Sequence, residues 1–213
     1  MRTRFMLSLL FVFALIFSVT PVFAGSISVT DFNDAGLNCT LREAIAEANA
    51  VGAGGGTLGN GCSGATAGSN TINLPAGTYT VGSQLPNVTT TIIIQPGGAV
   101  TVQANASPNT ATYRVFRATS ATGNLTLNDM TVRHGGNSGV FIDGGCVRAD
   151  TSGTLTLDNV IVEYCYGRFG GGVSVLLGTL TVTGGSIIRF LSLIHISEPT
   201  RLRRISYAVF CLK

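Results

Sequence analysis

The sequence predicts an all-β fold, a parallel β-helix in which short strands stack as successive rungs, with one short α-helix at its N-terminal end. Three observations predict it. From Asn70 onward, short β-rich runs alternate with Gly, Asn, Pro and Ser, the pattern of many strands with turns between them. Residues 125–132 (LTLNDMTV) recur as 155–162 (LTLDNVIV), and a weaker third copy begins at Leu180 and continues to Ile188. A single helix signal, at residues 40–43, precedes all of this.

Residues 1–24 read as a secretory signal peptide. Arg2 and Arg4 form a positive start, residues 5–19 are almost unbroken apolar sequence, and Val22-Phe23-Ala24 is a small-residue cleavage pattern. A membrane anchor is the competing reading. A spanning helix needs roughly 20 apolar residues, and Pro21 with Gly25-Ser26 close behind favours cleavage. The mature chain is therefore expected to be secreted or displayed at the cell surface.

Residues 25–70 are the expected N-terminal cap. Ile27-Ser28-Val29-Thr30 alternates like a short strand. Thr40-Leu41-Arg42-Glu43 is a capping box, in which the Thr40 hydroxyl and the Glu43 carboxylate satisfy free backbone donors at a helix start. Leu41, Ala44, Ile45 and Ala48 follow at helical spacing as one narrow apolar stripe. The spacing predicts a helix over 40–50, with Arg42, Glu43 and Glu47 on its wet face, ending before a Gly-rich loop at 52–64. Such a helix suits a lid over the apolar end of a stack.

Residues 71–190 are the expected rungs. Strands are predicted at 71–74, 78–81, 90–94, 100–102 and 115–116. In the repeat, Leu125, Leu127, Met130 and Val132 point inward with a bend at Asn128-Asp129, and Leu155, Leu157, Val160 and Val162 lie beneath them. Each contributes roughly 1.5–3 kcal/mol on full burial. Asn and Asp suit the bend because they tolerate unusual backbone angles and bond their own backbone. Gly144-Gly145-Cys146-Val147 and Gly170-Gly171-Gly172-Val173 recur 26 positions apart (170 − 144) as tight corners. One rung cannot bury its apolar residues alone, whereas stacked rungs share a continuous core.

Residues 191–213 change character, losing Gly, Asn and Asp and gaining Arg201, Arg203, Arg204 and Lys213. The string LSLIHISEPTR (191–201) resembles the in-frame translation of a transposase-type sequencing adapter. Leu202-Arg203-Arg204 occupies the slot of a variable index, and ISYAVFCL (205–212) resembles the constant sequence after it. The segment is expected to be foreign to the fold, leaving the stack at an unfinished rung near Phe190. A genuine basic tail is the competing reading.

That expectation alters the charge. The chain has 13 Lys+Arg against 10 Asp+Glu, formally +3. Without 191–213 the balance is nine against nine, and without Arg2 and Arg4 it is seven against nine, or −2. No basic patch remains for nucleic acid. Cys211 leaves with the tail, so Cys39, Cys62, Cys146 and Cys165 form an even set, which in an exported protein suggests two disulfides. Three pairings are open, and local closure favours Cys39–Cys62 and Cys146–Cys165. Cys146, at the position of Gly172, could instead be a buried thiol. No His/Cys spacing suggests a metal site. Gly52 to Gly56 lacks the lysine of a phosphate loop and follows a helix where such a loop opens one.

Cys39-Thr40-Leu41-Arg42-Glu43-Ala44-Ile45, with Ala48-Asn49 after it, resembles the CSLREA N-terminal domain of bacterial surface proteins, with Thr40 where that family usually has serine. Cys62 resembles its second cysteine, and residues 71–79 (TINLPAGTY) resemble the TIxLPAGTY stretch that follows. The repeats at 125–132 and 155–162, with GGGV at 170–173, look like right-handed parallel β-helix rungs. They are also similar to polymorphic outer-membrane proteins, lacking the FxxN half of that repeat. The resemblance implies a secreted or surface-displayed bacterial solenoid capped by an amphipathic helix, and it implies no reaction.

The same fold class includes pectate lyases, polygalacturonases and pectin methylesterases, so a polysaccharide lyase or hydrolase with its active site in rungs beyond this chain is the rival reading. Those activities need acidic residues and a base on one face, often with calcium. The candidates are Asp129, Arg133, His134, Asp143, Asp158 and Glu163. Asp129 and Asp158 fall in the repeated turn and read as turn residues. Arg133 above Glu163 reads as a cross-rung charge pair worth at most about 1 kcal/mol. His134, beside Gly135-Gly136, reads as a loop residue. No catalytic residue, cofactor or metal is predicted. The expected partners are extracellular glycans or cell surfaces, with membrane association only through a C-terminal anchor outside this chain. The expected role is an adhesin or structural stalk.

Overall fold

Alternation of buried and solvent-facing residues governs most of the strands, as in Asn70–Leu74 and Ile92–Pro96, because successive side chains point to opposite faces. The computed structural model describes residues 24–36, 38–136, 139, 142–150 and 152–193. The signal-peptide reading (but for Ala24) and the adapter reading beyond Leu193 lie outside the described residues.

In chain order the elements are β1 (Gly25–Ser28), α1 (Leu41–Gly52), β2 (Asn70–Leu74), β3 (Gly77–Thr80), β4 (Ile92–Pro96) and β5 (Val100–Gln103). There follow β6 (Phe116–Ala118), β7 (Leu125–Asn128), β8 (Met130–Arg133), β9 (Val147–Ala149), β10 (Thr154–Asp158) and β11 (Ile161–Glu163). The last are β12 (Tyr166–Gly167), β13 (Val173–Val175), β14 (Thr179–Thr183), β15 (Ile187–Arg189) and β16 (Ser192–Leu193). The fold is mostly β, with parallel sheets and one short helix.

One sheet runs β1-β2-β4-β7-β10-β14 and a second β3-β5-β8-β11-β15. A third joins β6, β9 and β13, and β12 pairs with β16. The repeat read from the sequence sets the register: Leu155 pairs with Leu125 on one side and Leu180 on the other, and Leu157 with Leu127 and Val182. The column extends through Ile94 and Ile72 to Ile27. In the second sheet Tyr79, Val102, Val132, Val162 and Ile188 form a like column. From Ile27 to Leu157 and from Val102 to Val162 these residues are fully buried. Leu125, Leu127, Met130, Val132, Leu155, Leu157, Val160 and Val162 are all buried as expected.

The bends repeat as well. Asp129 (φ 47°) and Asn159 (φ 54°) are left-handed, a conformation their short polar side chains tolerate. The Asn159 amide donates to Asp129 Oδ1 at 2.8 Å, and Thr183 Oγ1 donates to Asp158 Oδ1 at 3.1 Å. Gly144 and Gly170 have φ of 62° and 57° at the corners before β9 and β13. A Cβ there would lie 2.4 and 2.2 Å from the carbonyl oxygens of Val147 and Val173, so both conformation and space require glycine.

The helix begins as its capping box dictates. Glu43 N–H donates to Thr40 Oγ1 at 3.3 Å, and Thr40 N–H donates to Glu43 Oε2 at 2.9 Å. It ends at Gly52, a little beyond the expected limit. Leu41, Ala44, Ile45 and Ala48 pack toward β1 and β2, so α1 covers the first strands of the large sheet. The wet face needs correction. Glu47 is fully buried because the Gly-rich loop folds back over it, the Leu58 N–H donating to Glu47 Oε2 at 2.9 Å. Arg42 is likewise engaged: it forks onto Asp34 at 2.9 Å and donates to the Gln84 carbonyl at 2.8 Å.

Both disulfides form by local closure, Cys39–Cys62 and Cys146–Cys165, across 23 and 19 positions. The first ties the helix start to the end of the Gly-rich loop, and the second ties the corner before β9 to the segment after β11. Cys146 is a disulfide partner and not a thiol. Two bridges suit an oxidising, extracellular environment. No helix among the described residues is long and apolar enough to cross a membrane.

Candidate functional site

The acid and base candidates chosen from the sequence do not meet at one place. Asp129 and Asp158 serve the turns described above. His134 follows β8 in a left-handed conformation (φ 62°), is buried, places Nδ1 2.7 Å from the Asn105 carbonyl oxygen, and meets the Tyr164 ring edge to face at 5.9 Å between centroids. It is a packed corner residue, more enclosed than a loop position implies. Tyr164 stacks in turn on Phe190 at 4.8 Å.

Arg133 and Glu163 are register neighbours, yet the expected charge pair between them is replaced by other bonds. Arg133 Nε donates to Gln103 Oε1 at 2.9 Å, and Glu163 pairs with Arg189 at 2.8 Å. The column Thr80, Gln103, Arg133, Glu163, Arg189 thus bonds in steps, beginning with Gln103 Nε2 donating to Thr80 Oγ1. Arg133 finds a neutral amide on one side, so Glu163 is left to the cation on the other.

The remaining candidate, Asp143, belongs to a cluster that the sequence reading missed. Sheet β6-β9-β13 aligns Phe116-Arg117-Ala118 with Val147-Arg148-Ala149, placing Arg117 beside Arg148 on the outer face. Two cations one strand spacing apart repel, and Asp150, just past β9, bonds both. It accepts from Arg117 Nε at 2.6 Å and from Arg148 Nε. Arg148 also donates from Nη1 to Asp143 at 2.7 Å, and Arg168 Nε donates to the other Asp143 oxygen at 3.3 Å. The order is Arg117, Asp150, Arg148, Asp143, Arg168, with charges alternating. The sequence holds only a short trace of it: the two-residue unit Arg-Ala recurs 31 positions apart (148 − 117) after an apolar residue.

Arg114 adjoins this chain of charges. It is only 8 % exposed, and its Nε has no hydrogen-bond partner. Burial, then the charges of Arg148 and Arg117, lower its guanidinium pKa to about 10, so it remains cationic at neutral pH. Burial disfavours the Asp150 carboxylate, but hydrogen bonds from Arg148 and Arg117 outweigh it and hold the carboxyl below its ordinary range. Burial likewise opposes the Arg148 charge, and the bonds to Asp150 and Asp143 reverse the effect and raise its pKa.

Elsewhere a shallow groove between the end of α1 and the corner before β4 is lined by hydroxyls, including Ser69, Thr89, Thr90, Ser120 and Thr122. Among the described residues no group of three or more His, Cys, Asp or Glu gathers at metal-binding distance. No family model, curated protein or solved structure matches the chain.

Proposed function

We propose that the chain is part of a secreted or surface-displayed, non-enzymatic bacterial solenoid that contacts glycans or cell surfaces through its outer polar faces. In this reading the parallel sheets are the walls of a right-handed parallel β-helix, and α1 is the lid of its N-terminal end, as the CSLREA resemblance implies. The register columns support it, since each inward column runs through successive strands of one sheet as stacked rungs require. Export is supported by the two disulfides.

The observation that carries the non-enzymatic reading is the use made of the candidate acid and base residues. Asp129, Asp158, Arg133, Glu163 and His134 are each committed to a turn, a cross-strand bond or a packed corner. A general acid or base needs a proton-transfer partner within reach of a substrate and a pKa matched to the task; these residues spend polar atoms on Asn159, Thr183, Gln103, Arg189 and the Asn105 carbonyl. The test is to apply the purified full chain to a panel of immobilised glycans and, in parallel, to incubate it with polysaccharides in calcium while following new reducing ends. Binding without turnover is expected. Cleavage at a rate above buffer would overturn the reading.

A further inference from the structure

The arginine face on sheet β6-β9-β13 carries more positive charge than its own carboxylates offset. Arg114, Arg117, Arg148 and Arg168 share Asp143 and Asp150, an excess of two cations. These are four of the seven arginines in residues 25–190, a stretch whose net charge is −2. The excess is therefore local, held against the overall balance of the chain. A buried cation without a full set of acceptors is costly unless something pairs with it, and Arg114 is such a cation. In the same cluster the side chains of Arg117 and Arg168 are 36 % and 40 % exposed, whereas those of Arg148, Asp143 and Asp150 are less so, at 14–17 %. The two exposed guanidiniums are the end members of the ion-pair chain, over a partly buried floor of Asp150, Arg148 and Asp143.

We propose that this face binds an acidic glycan, Arg117 and Arg168 each taking a carboxylate or sulfate group at one end of the ion-pair chain. Each exposed guanidinium spends only Nε on a carboxylate of the chain, leaving its terminal amines to fork onto an oxyanion. The site suits separated anionic groups on an otherwise hydroxylated polymer. A nucleic acid requires a row of phosphate contacts, which a surface of net negative charge beyond this cluster does not supply. The inference rests on the proposed glycan contact and deepens it by naming the class of glycan and the residues that select it.

The experiment measures binding of the purified full chain to three probes: a sulfated hexosamine-uronate tetrasaccharide, an unsulfated hexuronate trisaccharide and a neutral maltotriose. At least one anionic probe is expected to bind, and maltotriose is expected to bind at least tenfold more weakly. Arg117→Gln and Arg168→Gln alter exposed side chains and are expected to weaken the anionic probe about tenfold each. Asp150→Asn, which removes a competing carboxylate, is expected to tighten it. Arg133→Gln, on the sheet formed by β3, β5, β8, β11 and β15, is the control and should change nothing. Inorganic sulfate should displace the bound probe from the unaltered chain, a readout independent of any variant's folding. Failure of both anionic probes to bind, unchanged binding in both arginine variants, or equal binding of a single-stranded oligonucleotide would each overturn the inference. The broader reading fails differently: cleavage of a probe would refute the non-enzymatic role while leaving the anion site intact. Binding of maltotriose alone would remove the anion site and leave glycan contact standing.

Discussion

Truncating Leu127 to alanine tests whether the apolar columns are one shared core. Leu127 is fully buried in β7, and its register neighbours, Ile94 in β4 and Leu157 in β10, are fully buried on either side. Leucine-to-alanine changes in a core cost 2–5 kcal/mol, more where the surroundings cannot collapse. With packed strands on both flanks, collapse is hindered, so a loss of about 3–4 kcal/mol is expected. For a chain of this size that corresponds to a fall in Tm of about 6–16 °C. Val182 occupies the same column in β14 but is 38 % exposed. Val182→Ala removes two partly solvated methyl groups and should cost about 1 kcal/mol or less. Urea unfolding followed by circular dichroism, with a common denaturant slope for all variants, gives both numbers. If the two substitutions cost the same within about 0.5 kcal/mol, a measure set by the additivity of independent sites, the column is not a stacked core and the reasoning from register to stability is wrong.

Replacing Cys146 and Cys165 together by alanine opens a closure of 19 positions and should lower stability by about 3 kcal/mol; an unchanged urea midpoint would count against it. Thr40→Ala should cost about 1 kcal/mol through loss of the cap, while Thr40→Ser, which keeps the hydroxyl, should leave the unfolding midpoint nearly unmoved. The carboxyls of Glu43 and Asp150 are held below their ordinary ranges. For Glu43, burial disfavours the charge, and hydrogen bonds from the Thr40 hydroxyl and backbone and from Gly36 N–H outweigh it. Depressed carboxyls stabilise the fold above their unfolded pKa and lose that effect as pH falls through the folded one. The midpoint should therefore hold from pH 7 to about 5 and drop below about 4, and a fall already complete at pH 6 would contradict this. Tyr79, whose hydroxyl donates to the Pro75 carbonyl at 2.9 Å, has its phenol pushed up to about 12 by burial. An ultraviolet titration should find at least one tyrosine, Tyr79, still protonated at pH 11 that ionises near pH 10 once urea unfolds the chain.

The columns of the large sheet were legible because β7 and β10 carry the same apolar alternation with no slip, so aligning residues 125–132 with 155–162 already gives their register. The helix start was legible because a capping box satisfies its own backbone donors within four residues. Glu47 was not, since helical spacing records which residues share a side and cannot announce a loop returning over that side. The arginine face was hidden for a related reason. Strands β6, β9 and β13 have three residues each, too short for alternation to rise above chance, and their charges come together only when the sheet aligns them. The Arg133–Glu163 pair misled because register decides which residues adjoin, while competition among adjoining partners decides which of them bond.

Register also bears on how this chain tolerates changes of length. Along the large sheet, paired positions recur after unequal stretches of chain: Asn70 to Ile92 spans 22 positions, Ile92 to Leu125 spans 33, Leu125 to Leu155 spans 30, and Leu155 to Leu180 spans 25. The differences are taken up between strands, leaving every apolar column in line. Residues inserted between β8 and β9, or between β5 and β6, should thus be absorbed at modest entropic cost. A single residue inserted within β10 would turn Leu155 and Leu157 outward and carry Thr156 into the core. Duplication of a whole stretch from one paired position to the next would extend the sheets without disturbing their order. The architecture is therefore permissive to growth between its strands and strict within them.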